Sequence, residues 1–189
     1  GKVTFEEIHR FDNQPVFLNG SLHWQITRIF SEIKRGIAEA VQRYGSDVKS
    51  IGVDTWGVDY GLLDPDRRLV GIPYCYRDAR NEGMQEKADQ VVSQWERYQV
   101  AGLQLLPFNT LYQLLAEKKM KQSQLSLADA IAFTPDLINF WLSGLLANEV
   151  TMASTSELLD AKTGQWSDDL INRFGLPRAD IDDLSRIIV

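Results

Sequence analysis

The densest group of residues able to do chemistry lies at residues 52–61, which contain three glycines, two carboxylates and two aromatic side chains. Glycine lets the backbone approach a ligand, an aromatic face packs against a sugar ring, and carboxylates accept hydrogen bonds from hydroxyls. These features suit a small polar ligand. A structural role is also open, in which Trp56 packs in the core and Asp54 and Asp59 cap turns. Spacing alone favours that structural role.

A second cluster, at residues 74–81, combines two arginines with Asp78 and Asn81 directly before a predicted helix. The planar guanidinium of Arg77 or Arg80 could hold a hydroxyl or a carboxylate in fixed geometry. The alternative is that Asp78 or Asn81 caps the helix while the arginines form exposed ion pairs of little energetic value.

Two further polar clusters have equally plain explanations. Residues 106–113 place Asn109, Thr110 and Gln113 near a helix start, where capping accounts for them. Residues 151–156 offer a row of hydroxyls, which is common in turns. Neither cluster is decisive alone.

Several chemistries find no support in the sequence. It contains no Walker-type phosphate loop, no dinucleotide-binding glycine pattern, no nucleophile elbow and no histidine-glutamate metal motif. Cys75 is the single cysteine, which excludes an intrachain disulfide, and His9 and His23 are too few for a plausible zinc site.

Composition indicates a packed domain, since 44% of the residues are hydrophobic and 24% are charged. The net charge of −6, with both signs interleaved, gives no positive face for nucleic acid. The longest apolar runs fall far below the roughly 20 residues that span a bilayer. We therefore expect no nucleic-acid partner, no membrane span and a cytoplasmic location.

The elements that must position these residues follow from apolar periodicity. Residues 3–11 and 22–26 read as two antiparallel strands with a turn at Asn19 and Gly20. A helix is predicted from Thr27 until Gly45 ends it, followed by a strand over residues 48–53 that joins the sheet in parallel. Ligands of such sheets bind beyond the carboxyl ends of the strands, which here means after residue 53.

The rest of the chain also alternates between helices and strands, so a single α/β domain is predicted. The further predicted elements are a hairpin over residues 58–70, helices over 84–95 and 111–115, a helix that begins with Thr134 and Pro135 and ends at Gly144, a helix capped by Ser167 that runs to residue 174, and a strand from Ile187 to Val189.

Taken in order, these segments resemble the FGGY family of carbohydrate kinases, and in particular its rhamnulokinase branch. The resemblance covers nearly the whole chain and rests on residues 7–11, 51–59, 76–80, 106–114 and 153–156. It implies an α/β, ribonuclease-H-like (actin-like ATPase) domain with a mixed sheet flanked by helices, incomplete at both ends. Residues 1–189 would be one N-terminal sugar-binding lobe, with the family's first strand and C-terminal lobe outside them.

The resemblance also implies a site. Gly57 would contact the sugar, with Trp56 and Asp59 as its neighbours, and Arg77 and Asp78 would line the same cleft. No residue of this chain is expected to be catalytic, because the family's catalytic aspartate would lie beyond Val189.

The implied reaction is transfer of a phosphoryl group from ATP, with Mg²⁺, to the 1-hydroxyl of the ketose L-rhamnulose, in partnership with the C-terminal lobe of the same protein. The lobe alone is expected to be inactive. Three alternatives stay open: a related kinase for another ketose or polyol, a non-catalytic sugar-sensing or partner-binding lobe, and a glycosidase using Asp54 and Asp59. Nothing in the sequence raises the pKa of one of these aspartates above the other.

Overall fold

The computed structural model describes residues 2–120, 123–177 and 187–188 and confirms the α/β class. Its helices and strands, in chain order, are β1 (Val16–Leu18), β2 (Ser21–His23), α1 (Ile26–Tyr44), β3 (Tyr60–Leu63), α2 (Met84–Asp89), α3 (Gln94–Ala101), α4 (Thr110–Lys118), β4 (Ala130–Phe133), α5 (Thr134–Ser143), β5 (Asn148–Glu149), α6 (Val150–Ser154), β6 (Leu159–Asp160), β7 (Gln165–Trp166), α7 (Asp168–Arg173) and β8 (Ile187–Ile188).

The central strand pair is β3 with β4, which run antiparallel with Tyr60 opposite Phe133. Every residue of both strands is buried. Because side chains alternate across a strand, Tyr60 and Leu62 pack in one apolar cluster with α4, while Leu63 packs in a second cluster with α1 and α5. The pair therefore separates two layers of core.

Gly61 is closely packed in this arrangement. A Cβ atom at that position would lie 2.8 Å from terminal methyl carbons of both Leu69 and Leu137. Such a distance is well inside van der Waals contact, so any larger residue at this position would force both leucine side chains to shift.

The predicted N-terminal hairpin is partly wrong. The turn at Asn19 and Gly20 is confirmed, and both residues have positive φ, but the first strand is β1 and not residues 3–11. Residues 3–11 form no strand; instead they lie along α1, where His9 Nε2 is 2.7 Å from a Glu32 carboxylate oxygen. Contacts with a helix replace the expected pairing.

Helix α1 begins one residue before Thr27 and ends before Gly45, as its periodicity predicts. Only Ile26 and Ile29 are buried, whereas Val41 and Tyr44 are 49% and 42% exposed. The C-terminal half of its apolar stripe thus faces solvent.

Other boundaries also differ from the predictions. Residues 48–53 form no strand, since no strand in the described part of the chain pairs with them. The single helix expected over 84–95 is two helices, because Ser93 and Glu96 form a capping box that starts α3. Leu69 pairs only as an isolated bridge with Leu63, so the hairpin over residues 58–70 is short.

The C-terminal predictions agree well with the structure. Helix α5 ends at Gly144, which has the left-handed φ of 77°, and Ser167 caps α7 by accepting the Leu170 N–H. Strand β8 pairs in parallel with β5, which confirms the strand predicted there. Val189, the last residue of that predicted strand, lies outside the described residues, so β8 as described ends at Ile188. No helix in the described ranges is long and apolar enough to cross a membrane.

Candidate functional site

The turn before β3 places Gly57 against the end of helix α6. A Cβ atom on Gly57 would lie 3.2 Å from the methyl carbon of Thr155, and the Val58 N–H donates to Thr155 Oγ1 at 3.0 Å. Gly57 is half-buried, and Trp56 precedes it directly in the chain. The glycine predicted to contact the sugar therefore packs closely against Thr155.

Asp59 is a fully buried centre of hydrogen bonding. Its Oδ2 accepts from Trp24 Nε1 at 2.5 Å, Trp56 Nε1 at 2.9 Å and the Tyr76 N–H at 3.2 Å, and its Oδ1 accepts from Gln113 Nε2 at 2.9 Å. Burial raises the pKa of Asp59 above its ordinary value, and these hydrogen bonds oppose the rise. The carboxylate joins the turn to residue 76 and to α4.

Two aromatic pairs flank this centre. The rings of Trp24 and Trp56 lie 4.3 Å apart, and those of Tyr76 and Phe108 lie 5.3 Å apart. Gln113 Nε2 also donates to the Phe108 carbonyl oxygen at 3.1 Å, which fixes the second pair relative to Asp59. The turn and the two aromatic pairs are thus held in one arrangement.

A cavity of about 260 Å³ opens beside the second aromatic pair. Its lining includes Tyr76, Arg77, Glu82, Glu86 and Phe108. Aromatic faces next to carboxylates and a guanidinium provide both the apolar and the hydrogen-bonding surface that a sugar needs.

Arg77 and Asp78 both line this cavity, but they differ in exposure. Arg77 is exposed, and its guanidinium lies 4.7 Å above the ring of Tyr76. Asp78 is buried and accepts the Leu22 N–H at 2.5 Å and the Arg80 N–H at 2.9 Å, so it caps the short 3₁₀ turn Ala79–Asn81. The cap that sequence reasoning left open as an alternative is present.

The side chain of Arg80, by contrast, is only 6% exposed. It forms an ion pair of 3.0 Å with Glu117, lies 3.8 Å from the ring centroid of Tyr74 and donates to the Gln113 carbonyl oxygen at 3.2 Å. The alternative of an exposed ion pair is therefore wrong for Arg80. Its role is to fix α4 against the segment that carries Arg77.

Sequence reasoning missed Thr155 and Gln113 as parts of the site. Both stood out only as members of polar clusters, and capping or turn formation explained them. They contact Val58 from 97 and 55 residues away along the chain, and no local spacing predicts such contacts. For Gln113, the one available signal was a polar side chain between the apolar helix residues Tyr112 and Leu114.

Asp54 and Asp59 do not form a catalytic pair. Asp54 is exposed, whereas Asp59 is fully buried beneath its four hydrogen-bond donors. A glycosidase needs two carboxylates that face the same substrate bond, and these two do not.

The fold and site now define a class. Residues 8–188 match the FGGY family of carbohydrate kinases, N-terminal domain, and the chain belongs to this family. Among solved structures, gluconate kinase from Lactobacillus acidophilus superposes with a TM-score of 0.79 at 18% identity, over 92% of this chain and 39% of that one. A xylulose kinase from the same organism gives 0.74 at 17% identity, over 92% and 39%. They confirm the predicted actin-like ATPase fold.

Sequence relatives point to one branch of the family. The chain is 41% identical to the rhamnulokinase of Oceanobacillus iheyensis over 175 residues, which is 93% of this chain and 37% of that protein. It is 39% identical to the rhamnulokinase of Mannheimia succiniciproducens over 176 residues, or 93% and 36%. The chain therefore spans little more than a third of the length of these relatives.

Proposed function

We propose that this domain is the sugar-binding lobe of an ATP-dependent kinase that phosphorylates the 1-hydroxyl of L-rhamnulose. The observation that carries the proposal is the half-buried Gly57, which follows Trp56 in a turn that the Asp59 carboxylate joins by hydrogen bonds to Tyr76, beside the cavity. The rhamnulokinases at about 40% identity support the choice of sugar.

The predicted site residues differ in whether their atoms can contact a bound sugar. Gly57 and Trp56 offer a close backbone approach and an apolar wall, and exposed Arg77 offers donors to hydroxyls. Asp59 and Asp78 are buried with their oxygens accepting protein N–H groups, so they act by holding the turn and the Arg77 segment in place.

ATP and magnesium are used by the family, and magnesium in such enzymes is commonly held by one or two carboxylates together with the phosphates of the nucleotide. Within the part of the chain that the structure describes, no group of three or more histidine, cysteine, aspartate or glutamate side chains is placed to hold a metal ion. Our proposal assigns nucleotide, magnesium and the catalytic base to the rest of the enzyme, and the positioning of the ketose to this domain. A catalytic aspartate beyond Val189 stays a prediction.

A second candidate is a kinase for another sugar. The gluconate and xylulose kinases share this fold with TM-scores of 0.79 and 0.74, so one scaffold serves several substrates. A panel of ketoses, polyols and gluconate assayed with the full-length enzyme separates the two candidates, since the preferred substrate has the highest kcat/KM.

The role of Gly57 is tested by adding a side chain. Gly57→Val should raise the KM for L-rhamnulose of the full-length enzyme by at least about tenfold, because the branched side chain meets the Thr155 methyl group and is forced into the cleft. Gly52→Ala is the matched control, since a Cβ atom at Gly52 has no neighbour within 4 Å. An unchanged KM for Gly57→Val would count against the proposed site.

A further inference from the structure

Val58 has a backbone conformation that its side chain disfavours. Its φ is 71°, in the left-handed region that β-branched residues rarely adopt. The Asp59 N–H donates to the Gly57 carbonyl oxygen at 2.9 Å, across Val58. A hydrogen bond between residues two apart, with positive φ between them, is the rare and strained form of the γ-turn.

Three side chains hold Val58 in this state. Its N–H donates to Thr155 Oγ1 at 3.0 Å, and its carbonyl oxygen accepts from Thr110 Oγ1 at 2.7 Å and Gln113 Nε2 at 3.2 Å. Thr110 and Gln113 are each 1% exposed, so water does not compete for the two bonds to the Val58 carbonyl oxygen. We call Thr155, Thr110 and Gln113 the Val58 clamp.

The clamp connects the strained turn to the proposed sugar contact. Gly57 precedes Val58, and Asp59, the buried centre of the site, follows it. Strained backbone persists only where the surroundings determine it, and it is concentrated at functional sites. If the clamp were released, Val58 could return to negative φ, and the Gly57 carbonyl and Cα would then point elsewhere.

We propose that Thr155, Thr110 and Gln113 are positioning residues that hold Val58 in a strained γ-turn and thereby present Gly57 to the ketose. The proposal rests on the proposed function, because it assigns a binding role to Gly57. It adds that side chains from α4 and from the end of α6 impose the geometry of this contact.

Thr155→Val tests the clamp, because valine keeps the methyl group next to Gly57 and removes the oxygen that accepts the Val58 N–H. In the full-length enzyme we expect the ketose KM to rise about tenfold, as for one lost hydrogen bond in a half-buried site, with kcat changed far less. Thr155→Ser keeps the hydroxyl and should stay near wild type. Thr151→Val is the control, since the Thr151 hydroxyl contacts Glu149 and not the turn.

Val58→Gly provides the decisive comparison. Glycine adopts positive φ without strain, so the turn no longer needs the clamp. The KM increase caused by Thr155→Val should therefore shrink to within about twofold when Val58→Gly is also present. An equal increase in both backgrounds, or an unchanged KM for Thr155→Val alone, would overturn the proposal.

Urea unfolding of the wild type, Thr155→Val, Val58→Gly and the double variant keeps this test separate from the proposed function. Thr155→Val should lower the unfolding midpoint less in the Val58→Gly background than alone. If the wild type phosphorylates no sugar, the proposed function fails, while the unfolding cycle still decides whether the clamp imposes the turn. If Thr155→Val does not fold, recovery by Val58→Gly supports the clamp, and continued failure contradicts it.

Discussion

Two buried carboxylates, Asp59 and Asp136, differ in how many hydrogen bonds replace the water that burial removes. Asp59 receives four hydrogen bonds, whereas for Asp136 the structure shows one, from the Glu149 N–H at 3.2 Å. Burial raises the pKa of Asp136 to about 7, and the nearby Glu149 carboxylate adds to the rise. The charge on Asp136 is therefore the less well accommodated of the two at neutral pH.

Asp136→Asn should remove a pH dependence of stability. The pKa of Asp136 is higher in the folded than in the unfolded chain, so between about pH 4 and pH 7 the folded protein holds a proton that the unfolded chain releases. The free energy of unfolding therefore falls as pH rises through this window. We expect Asp136→Asn to be more stable than wild type at pH 8, by at most about 4 kcal/mol.

Urea unfolding between pH 4 and pH 8 measures this effect. The amide oxygen of asparagine can still accept the Glu149 N–H, so the fold should be kept. Asp12→Asn, on an exposed residue, is the control. If the free energy of unfolding of Asp136→Asn falls with pH as steeply as that of the wild type, Asp136 does not titrate in this window.

At the scale of elements, helices were more predictable than strands. The apolar stripe of α1 and the capping residue of α7 are local features, so the sequence specifies them. Residues 3–11 and 48–53 have strand-like composition but form no strand, because pairing depends on neighbours that local composition does not reveal. Strand β4 was missed for the same reason: its short alanine-containing run gains its conformation from β3.

A buried ion pair links α3 to the turn that follows α6. Arg97 and Glu157 are both fully buried, with Arg97 Nε 2.6 Å from Glu157 Oε1. Tyr112 Oη and Asn109 Nδ2 also donate to the Glu157 carboxylate, at 3.1 and 3.3 Å. Burial raises the pKa of Glu157, and these partners oppose the rise. The network supports the turn that begins with Thr155.

Arg97→Met should destabilise the domain by about 3–5 kcal/mol, because it leaves a buried carboxylate without its cation. Adding Glu157→Gln should recover part of this loss, since the remaining group is neutral and Tyr112 and Asn109 can still donate to it. Urea unfolding gives both values. Arg173→Met, which removes an exposed arginine, should change stability by no more than about 1 kcal/mol. Equal small effects at Arg97 and Arg173 would contradict the role of the network.

At the scale of the whole molecule, the site combines segments that are distant in sequence. Residue types at 52–61 suited a small polar ligand, but their spacing alone favoured a structural role. The family resemblance supplied the sugar site with Gly57, Arg77 and Asp78. Sequence did not reveal that Asp59 and Asp78 are enclosed by N–H donors. It also did not reveal that Thr155 and Gln113 define the turn, because these contacts exist only after the two core layers close.

The 189-residue chain alone should not phosphorylate L-rhamnulose. It spans 37% of the Oceanobacillus rhamnulokinase, and our proposal places the nucleotide site and the catalytic base in the remainder of the enzyme. A coupled assay of ADP formation with ATP, Mg²⁺ and the ketose measures the activity, and the full-length enzyme is the positive control. Sugar-dependent turnover by the chain alone would show that the nucleotide site lies within it.

The two indoles that share the Asp59 carboxylate also give the domain an optical property. Rings 4.3 Å apart and inclined by 40° bring the Trp24 and Trp56 electronic transitions into exciton coupling, which produces a paired positive and negative band in circular dichroism. The sign and size of that band depend on the angle between the rings. Rearrangement of the Gly57 turn in solution would therefore be visible spectroscopically, without any attached label.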